Sequence, residues 1–197
     1  MGQRLSLIDC LRSANTRRSY CNNLLPNIAG DKKYSVTSYG DSLKHNKLIV
    51  RKAFDEADLP DDLRALFLAC AFQETTTMCA SDRDASKDGD AGGAANWSLW
   101  NLNEDLIREL GYAGDCRCLN AEDSLRAVLD IMQRGVQRWG VFRYLAFVRG
   151  GRTAFEDGHS YGIHDFVNGI ATMLKVLETD ENLFWDDRRI NVITEHV

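Results

Sequence analysis

The chain has 197 residues, with 24 Lys and Arg against 29 Asp and Glu, a net charge of −5, and 44% hydrophobic residues. That composition describes a globular domain with a core of its own and excludes disordered, collagenous and coiled-coil classes. Basic residues are scattered or sit beside acids, as at Arg188-Arg189 after Asp186-Asp187, so a groove following a phosphate backbone is not expected and nucleic acid is excluded as a partner.

Residues 1–43 are polar and punctuated by Pro26, Gly30 and Gly40, and they read as an N-terminal extension of loops and short elements. Residues 44–197 read as the main domain. A first helix is expected over 44–58, with Leu48, Ile49 and Phe54 as its apolar positions. Asp58 or Pro60 opens a second helix, with Asp61 and Asp62 in its first turn where the dipole favours acids. Its apolar positions run almost all the way round, so it belongs in the centre of the core, and it ends at Gln73 and Glu74. The run Ala65 to Phe72 is the longest apolar stretch, with eight residues where a spanning helix needs about 20, so no membrane segment is expected.

Residues 79–95 are too polar and glycine-rich for a helix or a central strand. Asn96 to Leu102 reads as a short strand or turn, after which Asn103 caps a helix from Glu104 to Leu110 that stops at Gly111. Asn120 is expected to cap the next helix, carrying Leu125, Val128, Leu129, Met132 and Val136. An apolar, aromatic segment follows over Trp139 to Val148, and a last helix starts near His164. The fold class is therefore α+β, mainly α, with one short irregular β and loop region.

Three features carry chemistry. Glu74 directly follows the most hydrophobic segment, at the wrong end of a helix dipole for a carboxylate; both circumstances are expected to raise its pKa, as a general acid for glycoside cleavage requires. Its bland alternative is a surface Glu beyond the buried stripe. The loop that follows holds Asp82, Asp84, Asp88 and Asp90 among glycines. Asp84-x-Ser86-x-Asp88-Gly89 begins like a calcium loop, but Ala95 stands where the bidentate Glu belongs, so no metal is expected. The remaining readings are a solvated loop, or one aspartate facing Glu74 as the base that activates water. Third, Asn96, Trp97, Trp100, Asn101 and Asn103 cluster within eight residues, offering ring faces to sugar C–H groups and amides to hydroxyls. For a single Trp the alternative is a place in the core.

Together these residues resemble the lysozyme-type glycoside hydrolases. More closely, Glu74-Thr75-Thr76-Thr77-Met78 followed by Asp88-Gly89-x-x-Gly92-x-Ala94-Ala95-Asn96-Trp97 is similar to glycoside hydrolase family 134, inverting endo-β-1,4-mannanases with a lysozyme-like fold. The resemblance covers roughly residues 45–178. It implies a lysozyme-like fold with a central buried helix ending at the catalytic Glu, Glu74 as general acid and Asp88 as general base. It also implies substrate contacts from Asn96, Trp97, Asn103 and Arg149, to which the cluster itself adds Trp100 and Asn101 as candidates. Ser98 replaces the family's Gly, Leu102 its Gln and Val148 its His.

The expected function is thus endo-acting hydrolysis of a β-1,4-linked polysaccharide, mannan first, by a monomer without cofactor. The alternatives are a lysozyme- or chitosanase-type hydrolase or transglycosylase on an amino-sugar polymer, and an inactive carbohydrate-binding secreted protein. No signal sequence is visible at the N-terminus, yet six cysteines at Cys10, Cys21, Cys70, Cys79, Cys116 and Cys118 favour secretion with at least one disulfide, the pairing being open; a cytoplasmic protein is the alternative. The four His lie far from the cysteine pairs, which disfavours zinc.

Overall fold

A computed structural model describes residues 32–82, 95–157 and 163–193. In chain order the elements are β1 (Tyr34–Ser38), α1 (Gly40–Glu56), α2 (Asp61–Glu74), β2 (Asn96–Trp97) and β3 (Leu102–Asn103). They continue with α3 (Glu104–Glu109), α4 (Leu125–Trp139), α5 (Val141–Asp157), α6 (Ile163–Thr179) and β4 (Arg188–Val192). The described chain is mainly helical, with two antiparallel two-stranded ribbons, β1 with β4 and β2 with β3. No helix among the described residues is long and apolar enough to cross a membrane.

α2 is the core helix that its composition demands. Leu66 to Phe72 are buried without interruption, and the helix packs along α6, in which Phe166, Val167, Ile170 and Leu174 are also buried. α1 packs on α4, α4 on α5, and α5 on both α6 and α3. Two glycines admit this packing. Gly140, with φ +78°, turns the chain between α4 and α5. At Gly135 a Cβ would stand 2.6 Å from Cδ2 of Tyr144, so α4 reaches α5 only because that position has no side chain.

Two expectations need correction. The first helix begins at Gly40 and ends at Glu56, and β1 pairs with the C-terminal β4, so a boundary at residue 43 would cut through α1. Asn120 does not cap the following helix: short 3-10 turns at Cys116–Asn120 and Glu122–Ser124 intervene before α4. The apolar segment over Trp139 to Val148 runs from the end of α4 into the first half of α5, and Trp139 of α4 packs against Phe147 and Phe155 of α5 at centroid distances of 5.5 and 4.9 Å. Cys70, Cys79, Cys116 and Cys118 are all free, so no disulfide joins any two of them; Cys10 and Cys21 lie outside the described residues.

β4 has no counterpart in the sequence reading, and it holds in place the two cations that are buried among the described residues. Arg189 is 8% exposed; its guanidinium donates to the carbonyls of Thr75, at 2.7 Å, and Phe72. Lys47 of α1 is 1% exposed and donates from Nζ to the carbonyls of Leu183, at 2.7 Å, and Arg188, with the Asp186 carboxylate 3.6 Å away. Burial lowers the Lys47 pKa from 10.5 to about 8 against the pull of Asp186.

Two predictions follow from these cations. Arg189→Ala leaves two buried carbonyls without donors and is expected to lower the unfolding free energy by about 3 kcal/mol in urea titrations. For Lys47, the unfolded chain binds more protons than the folded one between its two pKa values. Stability is therefore expected to rise across pH 8 to 10.5, by about 3 kcal/mol relative to Lys47→Met, as the cost of burying the charge disappears. Unfolding free energies of both proteins at stepped pH check the sign.

Candidate active site

Glu74 is the last residue of α2 and is half-buried. Thr75 leaves the helix in extended conformation, with φ −136° and ψ 150°, while its N–H and hydroxyl both donate to the Ala71 carbonyl at 3.0 Å. The two carbonyls held by Arg189, those of Phe72 and Thr75, lie on either side of Glu74 in sequence. Its backbone is therefore held on both sides by a group 115 positions away, at the end of a helix whose last turn has no basic residue.

Beyond it the chain is held turn by turn. The backbone N–H and hydroxyl of Thr77 both donate to the carboxylate of Asp82, the hydroxyl at 2.9 and 3.1 Å from its two oxygens. The Thr77 carbonyl accepts from Asn46 Nδ2 at 2.8 Å. Asp82 is thus a cap for the turn after Glu74. Asp84, Asp88 and Asp90 lie outside the described residues.

The β2–β3 ribbon supplies the other wall. Asn96 pairs with Asn103 and Trp97 with Leu102, leaving Ser98 to Asn101 as the turn. Asn101 Nδ2 donates to Glu74 Oε2 at 3.1 Å, joining two of the predicted site residues. The turn is anchored at three points. Trp100 Nε1 donates to the Phe67 carbonyl at 2.8 Å, Ser98 N–H to Asn120 Oδ1 at 2.7 Å, and Trp97 Nε1 to Glu104 Oε2 at 3.0 Å. Asn103 caps α3 as expected, accepting from Asp105 N–H at 2.9 Å.

Among the described residues four non-glycine positions have positive φ, and three belong to these two segments: Met78 at +59°, Ser98 at +66° and Asn101 at +53°. Met78 and Ser98 are buried, so they adopt a conformation that their side chains disfavour where they cannot easily relax. Such strain persists only when the surroundings over-determine it, and it gathers at functional sites.

The sequence-predicted residues separate accordingly. Glu74 and Asn101 meet, while Asn96 and Asn103 face each other on the ribbon beside them. Trp97 is half-buried, with its indole N–H tied to Glu104. Trp100 is a correction: it is 0% exposed, a core residue, and offers no face to a sugar. Arg149 lies exposed on α5, two positions before the kink at Gly151, where φ is +65° and ψ −157°. Sequence reasoning missed Asn46, Asn120 and Arg189, whose roles depend on contacts distant along the chain.

Two buried groups feel the charge of Glu74. Burial raises the Cys70 thiol well above its ordinary pKa, and Glu74 adds to the effect. Burial, then Cys70, then Glu74 raise the Tyr144 phenol likewise. The described residues hold no cluster of three His, Cys, Asp or Glu side chains fit to bind a metal. In comparison with known proteins, no family model and no curated protein matches the chain.

Asn120→Ala removes the acceptor for a buried Ser98 N–H at the head of the turn, and a loss of about 1–3 kcal/mol is expected in thermal or urea unfolding. Glu122→Ala, an exposed change two residues away, is expected to stay within about 0.5 kcal/mol of wild type.

Proposed function

We propose that the protein is an endo-acting glycoside hydrolase that cleaves a β-1,4-linked polysaccharide, mannan first, with inversion. The observation that carries this reading is the seat of Glu74. A half-buried carboxyl at the end of a core helix meets an amide from a strained, three-point-anchored turn. A general acid must be held in place with restricted hydration, and this arrangement does both. Ser98 lends support, since it stands where the resembled family has glycine and takes the left-handed backbone that glycine favours.

In this reading Glu74 protonates the leaving oxygen while Asp88 deprotonates a water on the opposite face of the sugar. An inverting pair needs about 6.5–9.5 Å between its carboxyls for that water. Asp82 is engaged by Thr77 and is not the base. Trp97, fixed through its N–H, is the stacking platform, with Asn96 and Asn103 offering amides and Arg149 a more distant contact. Secretion follows from the polymeric substrate and draws no support from the four free cysteines.

Incubation with β-1,4-mannan is expected to release new reducing ends. Glu74→Gln and Asp88→Asn should each lower the rate by about 10²–10⁴-fold. Proton NMR should show the α-anomer first. No reducing ends from mannan, chitosan, chitin or peptidoglycan would overturn the reading; full activity in Asp88→Asn would replace it with a single-carboxylate lysozyme or transglycosylase.

A further inference from the structure

β1 is the edge of its ribbon: β4 pairs with it on one side, and among the described residues no strand lies on the other. The register fixes which groups face that free side. Ile193 N–H donates to the Lys33 carbonyl at 2.9 Å and Tyr39 N–H to the Asp187 carbonyl at 2.8 Å, so positions 33 and 39 bond to the β4 side. In an antiparallel ladder the bonded positions recur at every second residue. Ser35 and Thr37 therefore bond to β4 as well, and Tyr34, Val36 and Ser38 turn their N–H and C=O groups outward. Among the described residues no backbone group bonds to that outward row.

The side chains at these positions are incompletely covered too. Tyr34 and Val36 lie opposite Val192 and Ile190, and so share a face of the ribbon with them. Ile190 is 0% exposed, yet Val36 is 37% and Tyr34 49% exposed on the strand beside it. Edge strands are usually blunted by a charge, a proline or a bulge. The strand Tyr-Ser-Val-Thr-Ser holds no charge and no proline, and its ladder with β4 runs without a break. Charge stands at its two ends instead: Lys32 and Lys33 precede the strand, Asp41 follows it, and Asp187 accepts from the Ser38 hydroxyl.

We propose that the free edge of β1 docks a second copy of this chain, the two β1 strands pairing antiparallel about Val36 into a four-stranded sheet in the order β4, β1, β1, β4. The edge is self-complementary. With Val36 opposite the partner's Val36, Tyr34 meets the partner's Ser38, and every outward N–H finds an outward C=O. The pairing closes on a two-fold axis and uses up both edges, so it stops at two copies. Antiparallel pairing also brings the basic end of each strand to the acidic end of the other, which favours a second copy over an unrelated extended peptide. Lys32 also pairs with Asp165 of its own chain, so this attraction orients the copies more than it binds them. A five-residue edge is short, and the dimer is accordingly weak, with a dissociation constant of about 10⁻⁵–10⁻³ M. The inference departs from the expected monomer, and it rests on the ribbon alone, independently of the activity proposed for Glu74.

Sedimentation velocity of the full chain from about 10 µM to about 1 mM is expected to show monomer passing to dimer and nothing larger. Val36→Lys and Val36→Glu each set like charges opposite one another and should weaken association about tenfold or more. An equal mixture of the two variants should recover it to within about threefold of wild type, because position 36 faces itself only in this register. Wild type that stays monomeric throughout, assemblies beyond the dimer, or a dimer indifferent to Val36→Lys overturns the proposal, as does a mixture that fails to recover. Amide hydrogen exchange on wild type decides the matter even if a variant does not fold. Ser35 and Thr37 should be protected at every concentration, whereas Tyr34, Val36 and Ser38 gain protection only as the dimer forms. Outward amides already protected in dilute protein would mean that another segment of the same chain covers the edge, and would overturn the proposal; outward amides that exchange freely in concentrated protein would do the same.

Discussion

The carboxyl end of α2 depends on a cation that α2 does not contain. The last carbonyls of a helix have no partners within it and carry the negative end of its dipole. Here those of Phe72 and Thr75 are taken by Arg189, which reaches in from β4 between the rings of Tyr39 and Phe72, at 5.5 and 5.9 Å. Burial works against the charge on Arg189, but a guanidinium stays protonated in proteins, so the helix end is satisfied at every ordinary pH. Lys47 approaches the Phe72 ring at 5.1 Å, and its amine closes the carbonyls of Leu183 and Arg188. Two buried cations thus meet at one aromatic ring, and between them they join α1, α2 and β4.

That junction explains why Glu74 can stand at a helix terminus without fraying. Helix ends are normally the loosest part of a helix. Arg189 holds the main chain on both sides of Glu74, Asp82 and Asn46 hold the turn beyond it, and the ribbon is pinned through Trp100 to the middle of the same helix. The left-handed backbone at Met78, Ser98 and Asn101 is the strain that these contacts hold in place.

What the sequence disclosed and what it hid divide by the range of the interactions. α2, the break at Asn96 to Leu102 and the cap at Asn103 were legible, because apolar periodicity and cap chemistry are local signals. β4 was not: Arg188-Arg189 next to two aspartates reads as a solvated charge cluster, and only Arg188, paired with Asp180 and Asp186, behaves that way. Arg189 is inward because a helix end 114 residues away needs donors. Asn120 misled for a related reason, since a residue suited to capping a helix serves equally well as acceptor for a strained turn. In the cysteines, an even number was read as a compartment signal, whereas Cys70 and Cys116 are buried as small apolar groups.

The two tryptophans of the ribbon show how far composition can carry a functional argument. Trp97 and Trp100 are three residues apart and chemically identical, yet the turn sends one into the core and leaves the other half-buried beside α3. Each indole N–H finds a fixed acceptor, the Phe67 carbonyl for Trp100 and the Glu104 carboxylate for Trp97, so the pair grips the ribbon from both ends. This rigidity is what lets a short turn deliver Asn101 to Glu74. A longer or looser connection would present the amide only part of the time. Glu74 thus meets a rigid polar ribbon at the end of a helix whose Cys70, one turn earlier, is buried as a thiol.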